Sequence, residues 1–307
     1  MEHLNTPVLL LLFNRPDKTK KVFESIRAVK PIKLYVAADG PRPGKDEEDL
    51  CAQTRDVVSK VDWKCDVHKL FRDKNLGCGM GPSTAMSWFF ENEPEGIILE
   101  DDCLPDKSFF HFCEQLLEKY RDDTRIMQIS GTNFHQDWIR DPDYSYYFSE
   151  IGLCWGWASW RRAWEKFDYN LSQYPEVVEK GYLKDLPFFR YGIGNYIAKE
   201  LRAISKGQQH SIWDIQWNFA QFINSGLSII PKKNLIENIG FDESATHTQS
   251  AAERYRVKKY QVEFPLKHPP YVLRDRVSDN RYLSVFYNRR FIHRVKKKVR
   301  KMITGQK

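Results

Sequence analysis

Residues 95–106 read EGIILEDDCLPD. Gly96-Ile97-Ile98-Leu99 is a short apolar run of the kind that forms a strand buried on both faces. It leads directly into Glu100, Asp101 and Asp102, with a turn at Pro105. Three adjacent acids repel one another, and removing carboxylates from water is costly unless positive charge meets them. If the strand carries on through the acids, alternation turns Glu100 and Asp102 to one side. That side lies at the carboxyl end, where open α/β sheets bind ligands. A hard divalent cation shared between one or two carboxylates and substrate phosphates suits such a place. A solvated acidic turn after an edge strand is the alternative.

Working outward, strands and helices alternate through the first half of the chain. Pro7–Phe13, Ile32–Ala38, Cys65–Phe71, Gly96–Leu99 and Arg125–Ser130 read as strands. Between them, Pro16–Ala28, Asp46–Val61, Gly81–Glu91 and Asp106–Tyr120 read as helices long enough for right-handed crossovers. The expected fold is therefore α/β, a mostly parallel sheet flanked by helices. From about residue 135 this rhythm gives way to crowded aromatics, including Tyr144, Tyr146, Tyr147, Phe148, Trp155, Trp157, Trp160 and Trp164.

Composition narrows the function classes. The 307 residues are 41% hydrophobic and 14% aromatic, which suits a globular chain with a large core. No apolar run approaches bilayer-spanning length, and MEHLNTP has no signal-peptide character. The six cysteines form no CxxC pair and read as reduced thiols of a cytosolic protein. The net charge of +7 belongs to the end of the chain: Arg289–Lys307 holds nine Lys or Arg and no acid, leaving 39 basic against 41 acidic residues elsewhere. Read as a helix, this tail puts Phe291, Ile292, Val295, Val299, Met302 and Ile303 on one side and bases around the rest. That pattern suits an anionic membrane surface, with a helix packed on its own domain as the alternative. No nucleic-acid partner is expected, because the body lacks a stripe of basic and stacking residues.

Three further places carry chemistry-bearing residues. Arg15 follows the first strand beside a helix start, suited to a diphosphate, and Asp39-Gly40 ends the second, where an acid can accept from a nucleobase N–H. Arg15 as a plain surface residue and Asp39 as turn chemistry are the alternatives. The stretch 75–81, NLGCGMG, matches neither the P-loop nor the dinucleotide-binding spacing. It reads as backbone packed close to a ligand, or as a flexible loop. Ile212-Trp213-Asp214-Ile215-Gln216-Trp217 places an acid between indoles, where apolar walls set its pKa and rings face sugars. The alternative is a helix-start acid beside core tryptophans.

In order along the chain, these pieces resemble the GT-A nucleotide-sugar glycosyltransferases: strand–Asn-Arg, strand–Asp-Gly, apolar strand–Glu-Asp-Asp, GLCWGWASWRRAW, WDIQW and IIPKKNLIENIG. They are most similar to the inverting N-acetylglucosaminyltransferases of complex N-glycan synthesis and their bacterial relatives, over roughly residues 6–248. The resemblance implies a GT-A catalytic domain over 1–275, with a nucleotide-sugar half at 1–134, an acceptor-side half at 135–275, and the basic tail at 276–307. It implies Mn²⁺ (or Mg²⁺) on Asp102, and Glu100 and Asp101 facing the ribose and donor sugar; His247, after Asn238-Ile239-Gly240, reads on its own as a further metal ligand, with a structural histidine as the alternative. Arg15 would lie near the diphosphate, Asp39 would read the base of a UDP donor, and Trp157 and Trp213 would line the sugar pocket. Asp214 would be the general base. The expected partners are a nucleotide-sugar donor, a glycan or lipid-linked acceptor and, through the tail, the inner face of the cell membrane. A sugar nucleotidyltransferase and a non-catalytic membrane-surface adaptor are the competing readings.

Overall fold

The computed structural model describes residues 3–191, 194–208, 212–241 and 257–284. His247 and the basic tail beyond residue 284 lie outside the described residues. The chain divides into two compact units, one from 1–169 with 211–274, the other from 170–210 with 275–307.

The first unit is built on strands β1 (Val8–Leu12), β2 (Lys33–Ala38), β3 (Asp66–Phe71), β4 (Glu95–Glu100), β5 (Cys103–Pro105), β6 (Ile126–Ser130), β7 (Tyr146–Ser149), β8 (Trp157–Trp160), β9 (Leu227–Pro231) and β10 (Ile236–Asn238). Its helices are α1 (Pro16–Arg27), α2 (Glu48–Val57), α3 (Gly77–Asn92), α4 (Lys107–Lys119), α5 (Arg161–Trp164) and, after the second unit's α6 (Tyr174–Glu179) and α7 (Gly194–Ser205), α8 (Asp214–Ile223). The second unit also holds α9 (Arg276–Leu283) and two 3₁₀ turns.

Eight strands form one sheet in the order β3-β2-β1-β4-β8-β6-β9-β7. Pairing is parallel from β3 through β4; β8 runs antiparallel to both β4 and β6, and β7 runs antiparallel to β9. The sheet is thus mostly parallel and flanked by helices, as the alternation of elements requires. The second half of the chain adds β7, β8 and β9 to this same sheet, while β10 pairs with β5 in a separate two-stranded one.

Strand periodicity sorts the core into two layers. Val8, Leu10 and Leu12 of β1, Val36 of β2 and Leu99 of β4 face one side, where Val22, Phe23 and Ile26 of α1 and Phe109, Phe112 and Leu116 of α4 cover them. Leu9 and Leu11, Tyr35 and Ile98 face the other, under Met86, Phe89 and Phe90 of α3 and Trp213 and Trp217 at the start of α8. A run such as VLLLL is therefore apolar at every position because both faces are buried. Helix starts follow local chemistry: Pro16 opens α1, where a missing N–H is no loss, and the Asp106 carboxylate accepts from Ser108 N at 2.8 Å to cap α4.

One expectation changes here. The Gly-rich stretch 75–81 is mostly the first turn of α3, which begins at Gly77 rather than Gly81. Two of its glycines serve close approach within the protein: a Cβ on Gly79 would meet the Ile212 carbonyl and the Tyr169 hydroxyl at 2.9 Å, and one on Gly81 would meet Asp39 Oδ2 at 3.2 Å.

Candidate active site

The parallel strands β2, β1 and β4 are neighbours, so their carboxyl ends bring Asp39, the segment Phe13–Arg15 and the acidic triplet to one edge of the sheet. β4 ends at Glu100, and Asp101-Asp102 form a turn into β5. The alternation expected to align Glu100 with Asp102 therefore stops at Glu100. A turn lets the charges diverge towards separate partners, which a continued strand would not. Asp101 Oδ2 accepts from Phe13 N at 3.3 Å and its Oδ1 from Arg15 Nη1 at 3.4 Å; Asp102 Oδ2 accepts from the same Nη1 at 2.7 Å.

Arg15 does not neutralise the cluster. Burial, then repulsion from Asp102, Asp101 and Asp214, pushes the Glu100 carboxyl up to about 8, against the pull of Arg15. Burial and Asp102 push Asp101 up to about 7, opposed by Arg15 and the Phe13 N–H. Burial works against the Arg15 charge, but Asp101 and Asp102 outweigh it and raise its pKa.

Asp102 is clasped from a distant part of the chain. β10 pairs antiparallel with β5, the Ile239 N–H donates to the Asp102 carbonyl at 2.8 Å, and the Asn238 side chain accepts from Gly240 N at 2.8 Å. A Cβ on Gly240 would collide with Asp102 Oδ2. The Asn-x-Gly of residues 238–240 is the sequence trace of this clasp.

Asp39 accepts from Leu76 N at 2.8 Å and from Gly77 N at 3.1 Å, so its carboxylate holds the start of α3. Burial raises its pKa and these N–H groups pull it back. Arg55 Nη2 donates to the Asp39 carbonyl at 3.2 Å and to that of Arg72 at 2.6 Å, tying the ends of β2 and β3 together.

On the far side of β4, antiparallel pairing of Ile98 with Trp157 carries the start of β8 to the same edge. Asp214 is the first residue of α8, following Trp213. Trp213 stacks on Trp157, which pairs with Ile98 near the end of β4, and this carries Asp214 towards the acidic triplet, where its charge acts on Glu100. Burial raises the Asp214 pKa against the N–H groups of Ile215 and of Asp214 itself. The residue is nevertheless exposed to solvent. Trp157 and Trp213, expected at a sugar ring, are 1% and 6% exposed and stack on each other at 5.7 Å. Trp164 and Trp217 surround them.

Sequence reasoning missed Gln128, a fully buried amide in the middle of β6. Its Nε2 donates to the Leu153 carbonyl at 2.7 Å, and its Oε1 accepts from Trp217 Nε1 at 2.9 Å and Gln221 Nε2 at 3.0 Å. One side chain so binds α8 to the segment before β8. A polar residue inside an otherwise apolar strand was the available signal.

Among the described residues, no three His, Cys, Asp or Glu side chains group as ligands of one ion. The donor chemistry still fits a hard cation: carboxylate oxygens only, and more negative charge than Arg15 offsets. Such an ion would complete its shell from phosphate and water oxygens. Among the described residues no helix is long and apolar enough to cross a membrane, and all six cysteines are free thiols.

No family model and no curated protein match the sequence. Among solved structures, the chain is similar to residues 1–349 of TarS from S. aureus at 10% identity and a TM-score of 0.44, covering 76% of this chain and 59% of that one. It is similar to the galactosyltransferase LgtC, solved with donor and acceptor sugar analogues, at 9% identity and a TM-score of 0.35, covering 70% of each chain. It is also similar to a mannosyltransferase of Pyrobaculum calidifontis, in complex with GDP-Man and Mn²⁺, at 13% identity and a TM-score of 0.38, covering 53% and 48%. The chain thus spans about three fifths of that TarS fragment. Likenesses this distant leave the chemistry to be read from the site's own residues.

Proposed function

We propose that this chain is an inverting, divalent-metal-dependent glycosyltransferase that moves a sugar from a nucleotide donor, UDP-linked in the first instance, to an acceptor hydroxyl. One observation carries the reading. The ends of three adjacent parallel strands and the start of α8 gather Asp39, Arg15, the acidic triplet and Asp214 at a single sheet edge.

Each group suits a part of that reaction. Arg15, half exposed beside Asp101 and Asp102, would receive the donor diphosphate. Asp102 would hold Mn²⁺ or Mg²⁺ together with donor phosphates, and the bound ion would offset charge on the leaving diphosphate. Glu100 and Asp101 would face the ribose and donor sugar, and Asp39 would meet the base from the start of α3. A raised pKa makes Asp214 a stronger base, suited to taking the proton of the attacking hydroxyl. Trp157 and Trp213, stacked on each other, would back the sugar site as a rigid wall. Transfer of N-acetylglucosamine to a glycan or lipid-linked acceptor, at the cytoplasmic membrane face reached by the basic tail, is the finer form of the proposal. Deleting residues 288–307 should abolish liposome binding in that form; undiminished binding would remove the membrane from it.

The direct test is a thermal-shift panel of nucleoside diphosphates and nucleotide sugars, with and without Mn²⁺, since ligands that bind only the folded chain raise its apparent stability. A metal-dependent shift with one nucleotide series is expected. A flat response from folded protein overturns the reading. Release of pyrophosphate in place of nucleoside diphosphate would make the chain a nucleotidyltransferase.

A further inference from the structure

Glu47 is a buried carboxylate that lies outside the acidic triplet and directly before α2. Asn14 Nδ2 donates to its Oε1 at 3.1 Å. Arg42 donates from its backbone N–H to Oε2 at 3.1 Å and from Nε to both oxygens at 3.0 Å, with Nη2 closing on Oε1 as well. Arg42 also lies over the Phe13 ring, 5.5 Å from its centroid. These hydrogen bonds from Arg42 hold the Glu47 carboxyl below the usual carboxylate range. The carboxylate is 6% exposed, so it is shut off from water while keeping its charge paired.

The placement of its partners gives this pairing a role. Asn14 adjoins Arg15 in the loop after β1, and Arg42 lies three residues past Asp39 in the loop after β2. The two loops leave neighbouring strands and carry the two residues assigned above to opposite ends of the donor nucleotide. We propose that Glu47 is a positioning residue: by holding Asn14 and Arg42 together it sets the separation of Arg15 and Asp39, so that one nucleoside diphosphate engages both. The proposal rests on the donor-site reading above. A ligand spanning two subsites gains from both at once only if their spacing is preset; otherwise binding must bear the ordering of the loops.

That logic separates positioning from mere support of the fold. Loosening the tie weakens a ligand that spans the site and spares fragments that touch one end. The experiment titrates the full chain, by calorimetry and ligand-observed NMR, with three probes: the nucleoside diphosphate that shifts wild type, its nucleoside alone, and inorganic pyrophosphate with Mn²⁺. In Glu47→Ala the nucleoside diphosphate should bind about tenfold more weakly, while both fragments stay within about twofold of wild type. Glu47→Gln, which keeps an acceptor oxygen, should fall between. Asn14→Ala cuts the same tie from the other loop and should show the same split, and it decides the matter if Glu47→Ala does not fold. Unchanged nucleoside diphosphate affinity, or equal weakening of fragments and whole ligand, would overturn the proposal while leaving the donor-site reading intact. A wild-type chain that binds no nucleoside diphosphate would instead defeat that reading and this proposal with it.

Discussion

Carboxylates on the two sides of the site differ in the partners that hold them. On the β1–β2 side, Glu47 is gripped by Arg42, Asp39 by the N–H groups of Leu76 and Gly77, and Asp102 by Arg15. On the α8 side, Asp214 stands above a cluster of tryptophans with only the N–H groups of Ile215 and of its own residue to offset burial. Pairing keeps an acid stationary, which suits binding charged ligands, and Arg42 also holds Glu47 below the usual carboxylate range. Isolation against rings raises its affinity for a proton, which suits a base. Glu100 lies between the two regimes and feels both, being repelled by Asp101, Asp102 and Asp214 together.

The strongest way to break this contrast is Asp102→Ala. Transfer supported by Mn²⁺ should fall by on the order of a thousandfold or more, because the ion loses its protein ligand and the leaving diphosphate its counter-charge. Full metal-dependent turnover in the variant would remove Asp102 from the site. Next comes Asp214→Asn, which should cut turnover by roughly a hundredfold or more while leaving nucleoside-diphosphate affinity near that of wild type. Loss of affinity with turnover preserved would move Asp214 to the binding side of the comparison.

Smaller effects sharpen the picture. Trp217→Phe removes the indole N–H that donates to Gln128, and should destabilise the fold by about 1–3 kcal/mol in chemical denaturation. A neutral result would show that the Trp217–Gln128 hydrogen bond adds nothing to the packing and the Gln221 bond that hold α8. A further effect is expected from pH. Glu100 at about 8 and Asp101 at about 7 lie above the ordinary carboxyl values of the unfolded chain. The folded chain therefore binds more protons than the unfolded one between those limits, and the metal-free protein loses stability as pH rises from about 5 to about 8. Mn²⁺ should flatten this fall. Comparing denaturation midpoints with and without the ion isolates the triplet, because His268, whose imidazole burial pushes down, contributes to both curves alike. Parallel curves would place the ion elsewhere.

Much of the sheet is legible in the sequence because neighbouring residues carry its signals. VLLLL and GIIL are apolar at every position, Pro16 and Asp106 mark helix starts, and the strands β1 to β4 and β6 begin and end close to where those signals place them. Glu100, Asp101 and Asp102 stand out for the same reason, as adjacent charges at a strand end. The Gly-rich stretch misled because its helix start is capped by Asp39, a residue remote in sequence. The strand alternation misled at Asp102 because the chain turns once the charges begin to crowd.

Sequence alone determined the strand–helix succession, the apolar strands buried on both faces, and the identity of the acids and arginine at the strand ends, since periodicity and turn chemistry act over a few residues. Only the tertiary structure decided who meets whom. It set β1 between β2 and β4, laid residues 238–240 over Asp102, stacked Trp157 on Trp213 beside Asp214, and joined Asn14 to Arg42 through Glu47. The reason is physical: a buried charge takes whatever partner strand order brings within hydrogen-bond reach, and strand order follows from burying the whole apolar surface at once.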